Sequence, residues 1–88
     1  MSCVYKVELD VDLYIGSTTN IRLRKNTHKN RCFNDKSPYY NNKLYQFIRE
    51  NNYDWEDVDF QILEQHDTIL DNLELRKREQ YFINDLNP

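Results

Sequence analysis

The pattern of hydrophobic and polar positions predicts a β-hairpin at the start of the chain. Cys3 to Leu9 alternates, with one face formed by Cys3, Tyr5, Val7 and Leu9, so this stretch is predicted to be a half-buried strand. A turn near Asp10 to Asp12 precedes a second, antiparallel strand over Leu13 to Ile15. Gly16, the only glycine in the sequence, follows at a position where we expect backbone freedom to be required.

Two helices are predicted after the hairpin. Residues 17–20 are all helix-capping types, and a helix from about Asn20 to Arg31 would place Arg24 and His28 on the same side. Cys32 to Tyr40 is predicted to be a loop. A second helix then follows from the spacing of Leu44, Phe47 and Ile48, up to Asn51 and Asn52.

The second half of the chain predicts one strand and one long helix. Val58, Phe60 and Ile62 alternate with polar residues, which is typical of a strand with one wet face. Ile69 to Leu86 has a helical pattern, with Asp67, Thr68 or Asp71 as candidate caps. The predicted order is ββααβα, an α+β fold with a three-stranded antiparallel sheet flanked by helices in a single domain over residues 1–88.

Composition places the chain among intracellular globular proteins. Of its 88 residues, 39% are apolar and 31% charged, and no apolar run reaches membrane-span length or forms a signal-peptide core. We therefore expect a protein of the cytoplasm or nucleus that is neither secreted nor bound to membranes. Cys3 and Cys32 are expected to be reduced thiols, and together with His28 they lack the paired fourth ligand of a structural zinc site.

The net charge of −3 conceals an uneven distribution along the chain. Between Gly16 and Asn34 every charged residue is basic, namely Arg22, Arg24, Lys25, Lys29 and Arg31. From Glu50 to Glu74, every charged residue is acidic. A local basic stretch is what contacts phosphates in nucleic-acid-binding proteins. An ordinary solvated helix face explains the same run, and charge alone favours that interpretation.

Glu79 interrupts the apolar stripe of the last helix. It lies four residues after Leu75 and three before Phe82, so the helical period puts a carboxylate at a core-facing position. Burying a carboxylate without a partner costs several kcal/mol, which favours a metal-binding or catalytic role. The alternative is a carboxylate at the edge of the stripe that pairs with Arg76.

Tyr5 and Tyr14 form a second candidate group. If the hairpin turn has two residues, Val7 pairs with Tyr14, and Tyr5 becomes the diagonal neighbour of Tyr14 on the same face. A one-residue slip in register would separate them. Tyrosines in strands more often pack than catalyse, so these residues alone predict no activity.

Four separated segments together resemble the GIY-YIG nuclease family, over nearly the whole chain. They are Cys3-Val4-Tyr5, Tyr14-Ile15-Gly16, Ser17 to His28, and Arg78-Glu79-Gln80-Tyr81-Phe82-Ile83. The stretch Asn42 to Leu63 is similar to the phage and viral homing-endonuclease branch of that family. The resemblance implies a DNA endonuclease that hydrolyses phosphodiesters.

The same resemblance implies roles for individual residues. Glu79 would hold one Mg²⁺ or Mn²⁺ ion, Arg24 would contact the scissile phosphate, and His28 would belong to the catalytic group. Tyr5 would accept a proton from the attacking water, and Tyr14 would orient water or phosphate. A phenol titrates near ~10, so Tyr5 would need the metal or a nearby cation, with Lys25, Lys29 and His28 as candidates. Expected DNA contacts are Arg22, Lys25, Lys29 and Arg31.

The sequence differs from the family pattern at two points, and two other functions are also considered. Cys3 replaces the glycine of the first motif, and the asparagine that many relatives carry beyond the final helix is not assigned to Asn84 or Asn87. The main alternative function is a catalytically inactive nucleic-acid-binding module of the same fold. A protein-interaction domain using Tyr39, Tyr40 and Trp55 is the other.

Overall fold

In a computed structural model, residues 2–9, 12–68 and 70–86 are described. The chain forms two compact units, one from Met1–Ile21 with Asp59–Pro88 and the other from Arg22–Val58. The first unit holds the sheet and the last helix, and the second holds most of the first helix and all of the second. The α+β fold with element order ββααβα is confirmed.

The three strands form one antiparallel sheet in the order β2-β1-β3. Their bounds are β1, Ser2–Leu9, β2, Asp12–Thr18, and β3, Phe60–His66. The hairpin prediction is confirmed for β1 and β2, although its turn at positions 10 and 11 lies outside the described residues. β1 is more buried than predicted, since both Tyr5 and its neighbour Val4 have no exposed surface. A central strand covered on both faces explains why simple alternation underestimates its burial.

The third strand begins later than predicted. Residues Trp55–Asp57 form a short 3-10 helix instead, and the backbone N–H of Val58 donates to the carbonyl of Trp55. Val58 is therefore buried in the connection before the strand, while Ile62 remains 44% exposed. An irregularity in the pairing of β1 with β3, between Val4 and Tyr5, also shifts the register of β3.

The last helix, α3, spans Asn72–Leu86 and packs against β1 and β2. Its Leu75 joins Val4 and Ile15 in a buried core, and Phe82 and Ile83 pack against the same cluster. Asp71 is the cap, because its side chain accepts from the backbone N–H of Glu74 at 2.8 Å. The helix therefore starts three residues later than the predicted Ile69, which itself lies outside the described residues.

The second unit is built around two helices. α1 begins in the first unit and spans Ile21–Phe33, and α2 spans Lys43–Glu50 with Asn42 as its N-cap. Arg49 of α2 donates to the carbonyl of Tyr40 at 2.7 Å and also to that of Cys32, and its guanidinium stacks on the Tyr40 ring at 3.6 Å. These bonds join α1, the following loop and α2 within this unit.

Both cysteines are free and buried. Burial raises the pKa of the Cys32 thiol, and burial likewise raises that of Cys3. Over the described part of the chain, none of the helices is long and apolar enough to cross a membrane.

Candidate functional site

The register of the hairpin brings Tyr5 and Tyr14 together. Val7 pairs with Tyr14 and Tyr5 with Gly16, which is the pairing that a two-residue turn predicts. The centroids of the two tyrosine rings lie 6.3 Å apart with planes tilted by 40°, an ordinary aromatic contact. The predicted diagonal pair of phenols is therefore confirmed.

Gly16 is required because of the close approach of Tyr5, which corrects the expected need for backbone freedom. Gly16 does not have a positive φ angle. A Cβ atom at this position would lie 2.5 Å from the Tyr5 hydroxyl oxygen and 2.6 Å from its Cζ. Any side chain would therefore collide with the phenol. The glycine lets the Tyr5 hydroxyl lie directly over the β2 backbone.

The Tyr5 ring is held from the other neighbouring strand as well. The ring centroids of Tyr5 and Phe60 on β3 lie 5.5 Å apart. Because Val7 pairs with Phe60, Tyr5 and Phe60 are diagonal neighbours across the two strands. Sequence reasoning assigned Phe60 to the strand but missed this contact, because the contact depends on the register of β1 with β3. The result is a fully buried Tyr5 beside a half-buried Tyr14.

Glu79 lies on α3 between residues that enter the core. Leu75 one turn before it and Ile83 one turn after it both pack in the cluster with Val4 and Ile15, and Glu79 itself is half-buried. A half-buried carboxylate at this position is compatible both with the apolar stripe and with its edge. The alternative pairing with Arg76 is not found: within the described residues, no side chain forms an ion pair or hydrogen bond with the Glu79 carboxylate.

On α1, the structure confirms that Arg24 and His28 are neighbours. His28 is 2% exposed, and its Nδ1 lies 2.6 Å from the hydroxyl of Tyr45 on α2. Burial lowers the pKa of His28 to about 4, and the positive charges of Arg24 and Arg31 contribute to the lowering. His28 is therefore neutral near pH 7. It cannot supply the positive charge that was expected of it as a stabiliser of phenolate.

The comparison with protein families decides the identity of this arrangement. The GIY-YIG catalytic domain matches residues 1–88, which is the whole chain. The chain belongs to the GIY-YIG family. No curated protein and no solved structure matches it at a significant level.

Membership accounts for the hairpin geometry of this GIY-YIG domain. Tyr14, Ile15 and Gly16 form the second motif, and Tyr5 ends the first, in which Cys3 replaces glycine. The two tyrosines and the glycine that meet at β1 and β2 are the residues that give these motifs their character. The family is one of nucleases, so the domain is a nuclease domain, and a nuclease of this family acts on DNA.

Next to Glu79, the GIY-YIG domain contains an ion-pair network that sequence reasoning missed. Arg78 makes a bidentate contact with Glu64 of β3, with nitrogen–oxygen distances of 2.7 and 2.8 Å. His66 Nε2 lies 3.1 Å from the same carboxylate. The hydrogen bond from Arg78 lowers the pKa of Glu64, despite the opposing effect of burial. This contact ties α3 to β3 one residue before Glu79.

The basic residues of α1 divide by exposure. Arg22, Lys25 and Lys29 are exposed, and Arg24 and Arg31 are half-buried. The exposed residues are accessible to phosphates. The binding of DNA by these basic residues stays a prediction. Of the aromatic residues considered for protein interaction, Trp55 packs edge-on against Phe33 at 6.2 Å and Tyr40 lies under Arg49. These two rings therefore have structural roles within the second unit.

Proposed function

We propose that this GIY-YIG domain is a metal-dependent DNA endonuclease. The observation that carries the proposal is the packing of the Tyr5 phenol onto Gly16 beside Tyr14, where a Cβ atom at position 16 would collide with the phenol. α3, which bears Glu79, packs against the same two strands.

Glu79 is the proposed ligand for a single Mg²⁺ or Mn²⁺ ion. A half-buried carboxylate without an ion-pair partner among the described residues has its oxygens available to an external cation, which fits this role. The described residues contain no cluster of three or more His, Cys, Asp or Glu side chains suited to a metal. One carboxylate suits a hard cation that keeps most of its water ligands. When bound, such an ion supplies charge stabilisation and an acidified water.

Arg24 is proposed to bind the scissile phosphate. A guanidinium can donate to two phosphate oxygens at once and stabilises the negative charge that develops in the transition state. Arg24 is half-buried on α1, and its charge acts on the neighbouring His28. His28, in its neutral form, is proposed to take part through hydrogen bonding, with Tyr45 fixing the orientation of its ring.

Tyr5 is proposed to accept the proton of the attacking water, and Tyr14 to orient water or phosphate. The two phenols differ in access, since Tyr5 has no exposed surface and Tyr14 is half-buried. The role of Tyr5 therefore requires that water reach its hydroxyl in the complex with DNA, where catalytic contacts tighten relative to the free enzyme. Lys25 and Lys29 remain the candidate cations that favour phenolate.

The biological setting proposed for this activity is DNA inside a cell. The resemblance of Asn42 to Leu63 to phage and viral homing endonucleases is the basis for assigning the domain to that branch. Contacts of Arg22, Lys25, Lys29 and Arg31 with backbone phosphates would be insensitive to base sequence.

A plasmid-nicking assay tests the proposed function. Supercoiled plasmid is incubated with the protein in Mg²⁺ and, as a control, in EDTA, and DNA binding is measured under both conditions. Nicking in Mg²⁺ that EDTA abolishes is the expected result. Binding without nicking in either condition would identify an inactive nucleic-acid-binding module, and loss of both would contradict a function on DNA.

A further inference from the structure

A polar groove in the second unit is lined by none of the residues assigned to chemistry. It is a concavity of about 430 Å³ between the second half of α1 and the loop that follows, here called the α1-loop groove. Its lining includes Asn30, Arg31, Asn34, Lys36, Ser37 and Tyr39. None of the described residues that line it is acidic, and two are cationic. In a chain of net charge −3, this is a local excess of positive charge.

Arg31 is held in an orientation suited to an anion. Its guanidinium carbon lies 3.9 Å from the centre of the Tyr39 ring, in a cation–π contact. The ring contacts the face of the guanidinium and fixes its plane. The N–H groups lie along the edge of that plane and stay available as donors. A phosphate can accept two of these N–H groups together. Tyr39 is 49% exposed, so the stacked pair lies at the surface.

The loop wall of the groove is also fixed by hydrogen bonds. Asn34 Oδ1 accepts from the backbone N–H of Lys36, and Ser37 Oγ accepts from that of Tyr39, each at 3.1 Å. Both side chains act as acceptors in these bonds. Each side chain also carries a donor, the amide N–H₂ of Asn34 and the hydroxyl of Ser37. Both donors can form hydrogen bonds to phosphate oxygens.

The electrostatic balance favours an anion despite the nearby end of α1. A helix C-terminus carries about half a negative charge, which disfavours anions within the last turn. Arg31 and Lys36 together supply two full positive charges at the same place. The residues that line the groove therefore carry a net positive charge.

We propose that the α1-loop groove binds a backbone phosphate of the DNA substrate outside the cleavage site. Arg31 and Lys36 neutralise the phosphate, and Asn34 and Ser37 donate to its oxygens. Because the contact is to the backbone, it anchors the duplex without reading its bases. This inference rests on the proposed action on DNA and adds a separate anchoring site to it.

The first test measures how DNA binding depends on salt. Full-length wild type, Arg31→Gln and Lys36→Gln are titrated with a short duplex in EDTA at several NaCl concentrations. A plot of log K against log salt has a negative slope, and each lost phosphate contact makes that slope less steep by about 0.9. We expect both variants to show a slope shallower by about that amount. Lys43→Gln is the matched control, because Lys43 is an exposed lysine of the same unit that does not line the groove.

The second test asks whether a phosphate is the group that is bound. A neutral methylphosphonate is placed at successive backbone positions of the duplex, and affinity is measured for wild type and Arg31→Gln. At the contacted position, the substitution should weaken wild type about tenfold and Arg31→Gln by less than about twofold.

The outcomes separate this proposal from the proposed function. If wild type binds and nicks DNA while both groove variants keep its affinity and salt slope, the groove is not an anchoring site and the nuclease assignment stands. If wild type fails to bind DNA at all, the proposed function is contradicted, and the groove proposal with it.

Discussion

The contact between Gly16 and Tyr5 gives the sharpest prediction for a single residue. In Gly16→Ala, the new Cβ would lie 2.5 Å from the Tyr5 hydroxyl oxygen, so the phenol or the β2 backbone must move. Over-packing of this kind costs about 1–3 kcal/mol. We expect urea unfolding to show a loss of that size, together with reduced nicking. Ser17→Ala, at the next residue of β2, is the control and should change stability by less than about 0.5 kcal/mol.

A double variant tests the steric origin of that loss. Because the Cβ would also lie 2.6 Å from Tyr5 Cζ, removal of the hydroxyl alone does not clear the space. Tyr5→Phe should therefore not restore the stability of Gly16→Ala. Full rescue would show that the hydroxyl alone causes the collision.

The two tyrosines should differ when each loses only its hydroxyl. Tyr5→Phe should cost about 1 kcal/mol of stability, the value of one hydrogen bond, and should lower the nicking rate ~10²-fold or more if the phenol takes the proton. Tyr14→Phe should lose less activity. A rate that rises with pH in wild type should become flatter in Tyr5→Phe. If Tyr14→Phe loses rate and pH dependence while Tyr5→Phe keeps both, the two roles must be exchanged.

For single residues, the sequence predicted the pairs that turn length and helical periodicity determine. The two-residue turn determined that Val7 pairs with Tyr14. Helical periodicity determined that Glu79 lies between Leu75 and Ile83, which pack in the core, and that Arg24 is near His28. The contact of Phe60 with Tyr5 and the Glu64–Arg78 pair were missed, because they depend on how distant segments align. The need for Gly16 was noticed but given the wrong cause.

Among the elements, the contact of α1 with α2 makes stability depend on pH. The folded-state pKa of His28 is about 4, against an ordinary value of 6.5, so the unfolded chain takes up the proton first as the pH falls. The contribution of His28 is therefore complete above pH 6.5 and is lost between 6.5 and 4. One proton corresponds to a slope of at most about 1.4 kcal/mol per pH unit.

Urea midpoints between pH 4 and 7 check this prediction. His28→Gln should flatten the pH dependence in that window relative to wild type. His66→Gln, which changes the other of the two histidines, serves as the comparison. Equal pH dependence in wild type and His28→Gln would contradict the burial of a neutral imidazole.

The boundaries of elements were harder to predict than their order. Asp71 was one of three candidate caps, and only the hydrogen bond to Glu74 distinguishes it. The alternation that predicted β3 included Val58, but the backbone there continues the turn of the 3-10 helix. Hydrophobic period reports which side chains are buried, and it does not report which backbone groups pair.

For the whole molecule, the arrangement of charge matters more than its sum. A net charge of −3 alone argues against a DNA-binding protein. Positive charge is nevertheless concentrated on α1 and in the loop after it, whereas the acidic residues cluster around β3. The sequence predicted the basic stretch of α1. It could not predict the groove, because Lys36 and Ser37 join Arg31 only through the path of the loop.

The nicking rate of Glu79→Gln in Mg²⁺ tests the proposed metal-dependent mechanism most directly. Gln keeps the shape of the side chain and removes the charge that is proposed to hold the metal. Glu74→Gln is the control on the same helix, where the exposed Glu74 lies 3.9 Å from Lys77. We predict that Glu79→Gln folds like wild type but nicks plasmid at least about a hundredfold more slowly, while Glu74→Gln stays within about twofold of wild type. Near wild-type nicking by Glu79→Gln would contradict the assignment of Glu79 and the metal-dependent mechanism built on it.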